Sequence, residues 1–245
     1  MLLILSVILV SSSAVLYKNI KKQQSSDWGH WLVNFSYKLN QLVCRKYHRL
    51  GYNFWLDLPE KGGALIVANH QSGLDILLLV AASKRPIKFI AAKEYCDMKG
   101  LKNFFSKAGC IPVDRKSRNT FALQAALDAV KNGEIVALYP FGGFHLPTEE
   151  EPKIKSGVAV IAKETKVPIY SVYISGLRGI GYVFLNIIFP RSKACLELKS
   201  IKKCNESNMA QVLDELSFEL SNKINYPGIK KPIELKQIEE KKESS

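Results

Sequence analysis

No two of the five cysteines in this 245-residue chain stand at C-x-x-C spacing. Cys44, Cys96, Cys110, Cys195 and Cys204 are odd in number and scattered, which argues against a disulfide framework and against a zinc site. Reduced thiols in a cytosolic environment are the expectation. A G-x-S-x-G turn is also missing, so a serine nucleophile on a strained elbow is excluded. Acidic side chains are scarce beside basic ones: 22 Asp and Glu face 35 Lys and Arg, a net charge of +13. Such a balance suits an anionic partner, whether membrane surface, nucleic acid or acidic substrate. The lysines are dispersed and no nucleic-acid-binding motif occurs, which sets nucleic acid aside.

Charge is absent altogether from Met1 to Tyr17, and Lys18, Lys21 and Lys22 follow. Seventeen helical residues span about 25 Å, the short end of what crosses a bilayer. No basic stretch precedes the run and Ser11-Ser12-Ser13-Ala14 is a faint cleavage signal, so an uncleaved anchor is favoured over a removed signal peptide. The lysines place everything after them on the cytoplasmic side. Residues 1–22 are therefore read as a membrane anchor.

What is present begins with a second membrane signal over residues 23–58. Trp28, Trp31, Leu32, Phe35, Leu39, Leu42 and Val43 recur at steps of three and four, one apolar stripe on a helix. Lys38, Arg45, Lys46 and Arg49 flank it, as in a helix lying among anionic headgroups. The competing reading is a helix whose stripe packs on the domain's own core. His30 and His48 are taken as interfacial.

Beyond residue 59, short β-rich runs alternate with helical patterns. Strands are expected at Ala64 to Ala68, Ile87 to Ala91, Cys110 to Val113, Ile135 to Tyr139, Ile169 to Ile174, Tyr182 to Phe189 and Ala194 to Lys199. Helices are expected at Leu74 to Ser83, Leu101 to Lys107, Thr120 to Lys131, Gly157 to Thr165 and about Asn208 to Asn222. This order implies an α/β fold: a single domain with a mostly parallel twisted sheet covered by helices, over residues 59–227. The Lys/Glu-rich residues 228–245 read as a disordered charged tail.

At the end of the first strand stands Asn69-His70-Gln71-Ser72-Gly73-Leu74-Asp75. Five residues along one helix turn through about 500°, so His70 and Asp75 meet only if His70 lies in the loop. With Ser72 capping and Asp75 in the first helical turn, the carboxylate can fix the imidazole tautomer and leave the other nitrogen as a base. The plainer reading is a capping loop with a polar histidine beside it.

The same heptad resembles the signature of the glycerolipid acyltransferases typified by lysophosphatidic acid acyltransferase. Three further stretches are similar to that family's blocks, in order: Ala92-Lys93-Glu94 with Gly109-Cys110-Ile111-Pro112-Val113-Asp114-Arg115, then Lys155-Ser156-Gly157-Val158-Ala159, then Val167-Pro168-Ile169. The resemblance covers roughly residues 60 to 178. It implies transfer of a fatty acyl group from a thioester of coenzyme A or acyl carrier protein, as co-substrate, to a lysophospholipid hydroxyl. His70 and Asp75 would be catalytic, with no acyl-enzyme, no further cofactor and no metal. Arg115 would grip the acceptor phosphate, since guanidinium matches its oxygens. Lys93, Lys155 and the loop residues Phe141, Gly142, Gly143 and Phe144 would bind substrate. Membrane lipids, the acyl carrier and the lysolipid are the expected partners.

One block departs. Where the family reads Phe-Pro-Glu-Gly-Thr-Arg-Ser, this chain has Tyr139-Pro140-Phe141-Gly142-Gly143-Phe144-His145. Phe141 replaces the Glu and Phe144 the Arg. Three readings follow: a different lysolipid acceptor, charge regained from Glu149 to Glu151, Lys153 or His145, or a non-catalytic lipid-binding relative. His145 itself is read as a satisfied loop histidine.

Overall fold

The computed structural model describes residues 26–51, 54–114, 120–145, 154–188 and 190–221. The proposed anchor 1–22 and tail 228–245 lie outside the described residues, as does Arg115. Among the described residues, no helix is long and apolar enough to cross a membrane.

Six strands form one sheet in the order β3-β2-β4-β1-β5-β6: β1 (Ala64–Ala68), β2 (Ile87–Ala92), β3 (Ile111–Val113), β4 (Ile135–Leu138), β5 (Ile169–Ser175) and β6 (Cys195–Lys202). All pairs are parallel except β5 with β6. β1 is the unbroken apolar run Ala-Leu-Ile-Val-Ala, fully buried, as a strand covered on both faces must be. Its alternation divides the core. Ile66 packs with Leu74, Leu78 and Ile174 on one side, Leu65 and Val67 with Val158, Ile161 and Leu216 on the other.

Helices cover both faces: α1 (Trp31–Leu42), α2 (Leu74–Ala81), the short α3 (Lys93–Cys96) and α4 (Lys102–Lys107), α5 (Thr120–Lys131), α6 (Gly157–Thr165), the short α7 (Leu185–Ile188) and α8 (Met209–Ser221). The segment expected as a strand at Tyr182 to Phe189 instead holds a bend and α7. Its backbone is drawn off the sheet: Gly181 N–H donates to Gln71 O at 2.8 Å, and Tyr182 O accepts from Gly73 N–H at 3.0 Å. α8 is held to β6 by Lys202, whose Nζ meets Glu215 at 2.6 Å and Glu219 at 3.0 Å.

α1, which continues into a π-helical turn at Val43–Tyr47, packs with its polar side inward. Asn40 Nδ2 donates to Leu77 O at 2.8 Å, Gln41 Nε2 to Ala81 O at 2.9 Å, and Tyr37 Oη to Ser83 O at 3.0 Å. Buried Arg45 donates to Gln41, Ala81 and the carbonyls of Gly51 and Phe54, and lies 4.2 Å from the Trp55 ring centroid. The last carbonyls of a helix lack intrahelical partners and carry partial negative charge. α1 and its π-helical turn supply partners to Ala81 O, the last carbonyl of α2, through Gln41 and Arg45, and α1 also reaches Leu77 O before it and Ser83 O beyond it. The apolar stripe is consequently divided: Trp31, Phe35 and Leu39 are 74%, 56% and 46% exposed, while Leu42 is buried and Trp28 packs against the core.

His48 is buried, not interfacial. Its Nε2 bonds Ile187 O at 2.9 Å and its Nδ1 accepts from Ser192 N–H at 3.4 Å. Burial first pushes its pKa below the usual histidine value, with the Ile187 carbonyl opposing.

Two stability measurements follow. Arg45→Met strands several buried carbonyls and lowers unfolding free energy by about 2–3 kcal/mol in denaturant titration, and Arg45→Lys recovers less than half of it. The depressed pKa of His48 means its contribution is fully present above the ordinary histidine value and is lost as pH falls below it. The melting temperature of the native protein therefore falls more steeply between about pH 7 and pH 5 than that of His48→Gln, measured side by side.

Candidate functional site

β1 ends at Ala68, and the chain leaves the sheet through an asparagine that imitates a strand. Asn69 Nδ2 donates to Ile174 O at 2.9 Å while Ile174 N–H donates to Asn69 Oδ1 at 2.7 Å. The side chain thus satisfies a β5 residue that the departing backbone no longer reaches. That frees the main chain of residues 70–73 to turn above the carboxyl end of the central strand, where ligand sites form in open α/β sheets.

The turn is organised by Asp75. Its carboxylate is fully buried in the first turn of α2, and Oδ2 accepts from Gln71 N–H at 2.6 Å and Ser72 N–H at 2.8 Å. His70 Nδ1 lies 2.9 Å from the same oxygen. A buried carboxylate needs such donors, and the helix N-terminus favours its charge. Ser72 does not cap α2; Gly73 occupies the cap without a side-chain bond, and Ser72 Oγ reaches Asp75 Oδ1 at 3.4 Å. A proton on Nδ1 directed at the carboxylate would leave the lone pair on Nε2.

Gly73 has no room for a side chain, since a Cβ there would meet Val183 O at 1.8 Å. The loop after β4 closes from the opposite side: His145 N–H donates to His70 O at 2.7 Å. The Tyr139 ring stacks on the imidazole at 3.8 Å between centroids and 8° between planes, and Phe144 meets it edge-on at 4.5 Å. Burial, and then the Asp75 charge, push the Tyr139 phenol well above the usual tyrosine range. Tyr139 and Gly73 were not singled out in the sequence. The one signal for Tyr139 is its position at the end of a buried strand, beside the loop that departs from the family pattern.

His70 lines a cavity of about 400 Å³. Its walls are mostly apolar, from Ile76 and Leu77 of α2, Phe104 of α4, Leu123 of α5, Ile161 of α6 and Phe184 before α7. Gly142, Gly143, Phe144 and Lys155 line the same cavity. Lys155 Nζ comes within 2.2 Å of where a Gly142 Cβ would stand, and Gly142 also turns with φ +81°, so only glycine fits. Phe141 is turned away, packed against His145 at 5.4 Å between ring centroids and against the core under α5 and α6. Lys93 is exposed on α3 and does not line the cavity, although its neighbours Ala92 and Tyr95 do. Among the described residues, no group of three or more His, Cys, Asp and Glu side chains is placed to hold a metal ion. The arrangement offers a carboxylate-oriented imidazole opening on an apolar space, which suits proton removal from a hydroxyl brought into it.

Known proteins share this framework. The Acyltransferase family model matches residues 56–175. The chain is 30% identical over 114 residues to the 1-acyl-sn-glycerol-3-phosphate acyltransferase of Bacillus subtilis, covering 46% of this chain and 56% of that protein. It is 30% identical over 130 residues to a probable 1-acyl-sn-glycerol-3-phosphate acyltransferase of Mycoplasma pneumoniae, 50% of this chain and 48% of that one. The matched region thus spans about half the length of these relatives. The crystal structure of the 1-acyl-sn-glycerophosphate (LPA) acyltransferase PlsC from Thermotoga maritima superposes with a TM-score of 0.51 at 20% identity, covering 91% of this chain and 94% of that one. That likeness is one of fold. Over residues 56–175, the chain is thus similar to the acyltransferase family.

Proposed function

We infer that the protein transfers a fatty acyl group from a thioester, on coenzyme A or acyl carrier protein, to the hydroxyl of a lysoglycerolipid such as lysophosphatidic acid. The observation that carries this is the His70 Nδ1 to Asp75 Oδ2 contact of 2.9 Å on the wall of a 400 Å³ apolar cavity. His70 Nε2 takes the hydroxyl proton as the oxygen attacks the thioester carbonyl carbon. The tetrahedral adduct then collapses, and the departing thiolate regains that proton from the imidazolium. Asp75 holds the ring and offsets its transient charge. No enzyme group is acylated. Arg115 and Lys155 are the proposed partners of acceptor phosphate, with Gly142 and Gly143 admitting its approach.

Phe144 favours a second choice of acceptor. It presents an aromatic edge to His70, and Lys155 is the sole Lys, Arg, Asp or Glu among the described residues of the cavity. A lysolipid other than a phosphomonoester fits that wall. A non-catalytic lipid-binding role gains nothing from the ordered His70 and Asp75 pair.

The proposed membrane attachment combines the anchor at residues 1–22 with the outward face of α1. Trp31, Phe35 and Leu39 point into solvent, and the chain carries a net +13 to meet anionic headgroups on the cytoplasmic side.

Purified protein in anionic vesicles, given labelled acyl thioester and a panel of lysolipids, tests the reaction. His70→Ala lowers kcat by about 10²–10⁴-fold with any productive acceptor, and Asp75→Asn lowers it as well. Absence of His70-dependent product across the panel overturns the reading. For attachment, replacing Trp31, Phe35 and Leu39 together by serine lowers the fraction floating with vesicles made from anionic lipid and leaves the melting temperature within a few degrees. Unchanged flotation refutes the role of α1.

A further inference from the structure

His70 has a single side-chain hydrogen bond among those described, from Nδ1 to Asp75, and one bond leaves a ring free to tilt about its own axis. Tyr139 and Phe144 take up that freedom. The Tyr139 ring lies parallel to the imidazole, 8° off plane at 3.8 Å, and Phe144 approaches at 61° and 4.5 Å. Tyr139 is itself secured. It follows β4 directly and precedes Pro140, its carbonyl accepts from Gly142 N–H at 3.1 Å, and its ring packs on the core that holds Leu74 and Leu78.

Its hydroxyl contributes nothing visible to that arrangement. Tyr139 Oη is buried and has no hydrogen-bond partner among the described residues. A buried hydroxyl without a partner is a cost, so the ring accounts for the position. The geometry carries a second message. Two neutral aromatic rings prefer offset or edge-to-face contact, whereas a ring face attracts a cation. The parallel stack at 3.8 Å lays a ring face along the imidazole, where it can meet the positive charge that develops in proton transfer.

We propose that Tyr139 is a positioning residue for the base: its ring fixes the plane of His70, keeps Nε2 aimed into the cavity, and shields the positive charge that forms during proton transfer. The proposal rests on His70 acting as the base. Phe144 completes the clamp from the edge.

The ring and the hydroxyl are separated by two variants, assayed in vesicles with the acyl thioester and the best acceptor. Tyr139→Phe keeps the stack and retains kcat within about twofold. Tyr139→Leu removes it and lowers kcat by about 10–100-fold while KM for the thioester stays within about twofold, as misaimed rather than lost binding requires. Unfolding midpoints of both variants are measured alongside. Histidine-ring NMR provides a readout independent of turnover: with four histidines, His70→Gln assigns the signal. The His70 ring protons are shifted upfield by the stacked ring in the native protein and in Tyr139→Phe, and move toward ordinary positions in Tyr139→Leu. A Leu variant with native kcat, a Phe variant as impaired as the Leu variant, or an unshifted native His70 signal each overturns the proposal. A native protein without acyl transfer refutes the proposed reaction instead, and the NMR result then decides the positioning alone.

Discussion

A single carboxylate oxygen organises the site. Asp75 Oδ2 receives the backbone N–H groups of Gln71 and Ser72 and faces His70 Nδ1, all within 2.9 Å. Those two amides are donors that the turn above β1 would otherwise leave buried and unpaired. One negative charge therefore completes the loop, begins α2 and orients the imidazole together. The three tasks share one atom, so the site cannot relax without unfolding the turn that makes it.

Two neighbouring loops lean on that turn. The stretch after β4 reaches it through His145 N–H and the aromatic pair Tyr139 and Phe144, and the stretch after β5 through Gly181 N–H and Tyr182 O. Both follow strands that flank β1 in the sheet. The parallel order brings their carboxyl ends to one edge, which is why residues far apart in sequence converge on His70. The apolar cavity beside them is walled by α2 from one face of the sheet and by α5 and α6 from the other, together with α4.

Much of this is legible in the sequence. β1 stands out as an unbroken aliphatic run, and α5 and α6 have the expected bounds because Asn132-Gly133 stops the first, and the left-handed Lys166 with Pro168 beyond it stops the second. Helical geometry leaves the pairing of His70 with Asp75 as one of two readings, and the 2.9 Å contact decides between them. Other features lay beyond local pattern. Periodicity in α1 marked an apolar stripe but not which side faces the protein, and the buried side proved to be the row of Tyr37, Asn40, Gln41 and Arg45 that answers the open carbonyls of α2. The alternation from Tyr182 onward resembles a strand, yet its backbone partners are Gln71 and Gly73, which no short-range rule supplies. Tyr139 was hidden for the same reason: a stack is a tertiary contact.

The bond between His48 and Ile187 is a long-range tie. His48 follows the π-helical end of α1, and Ile187, whose carbonyl it holds at 2.9 Å, lines the cavity. Arg191 adds a second tie, donating to the Tyr47 carbonyl at 2.8 Å. The helix with the exposed stripe is thus joined to the wall of the chamber beside His70 by a direct hydrogen bond between residues 139 apart in sequence.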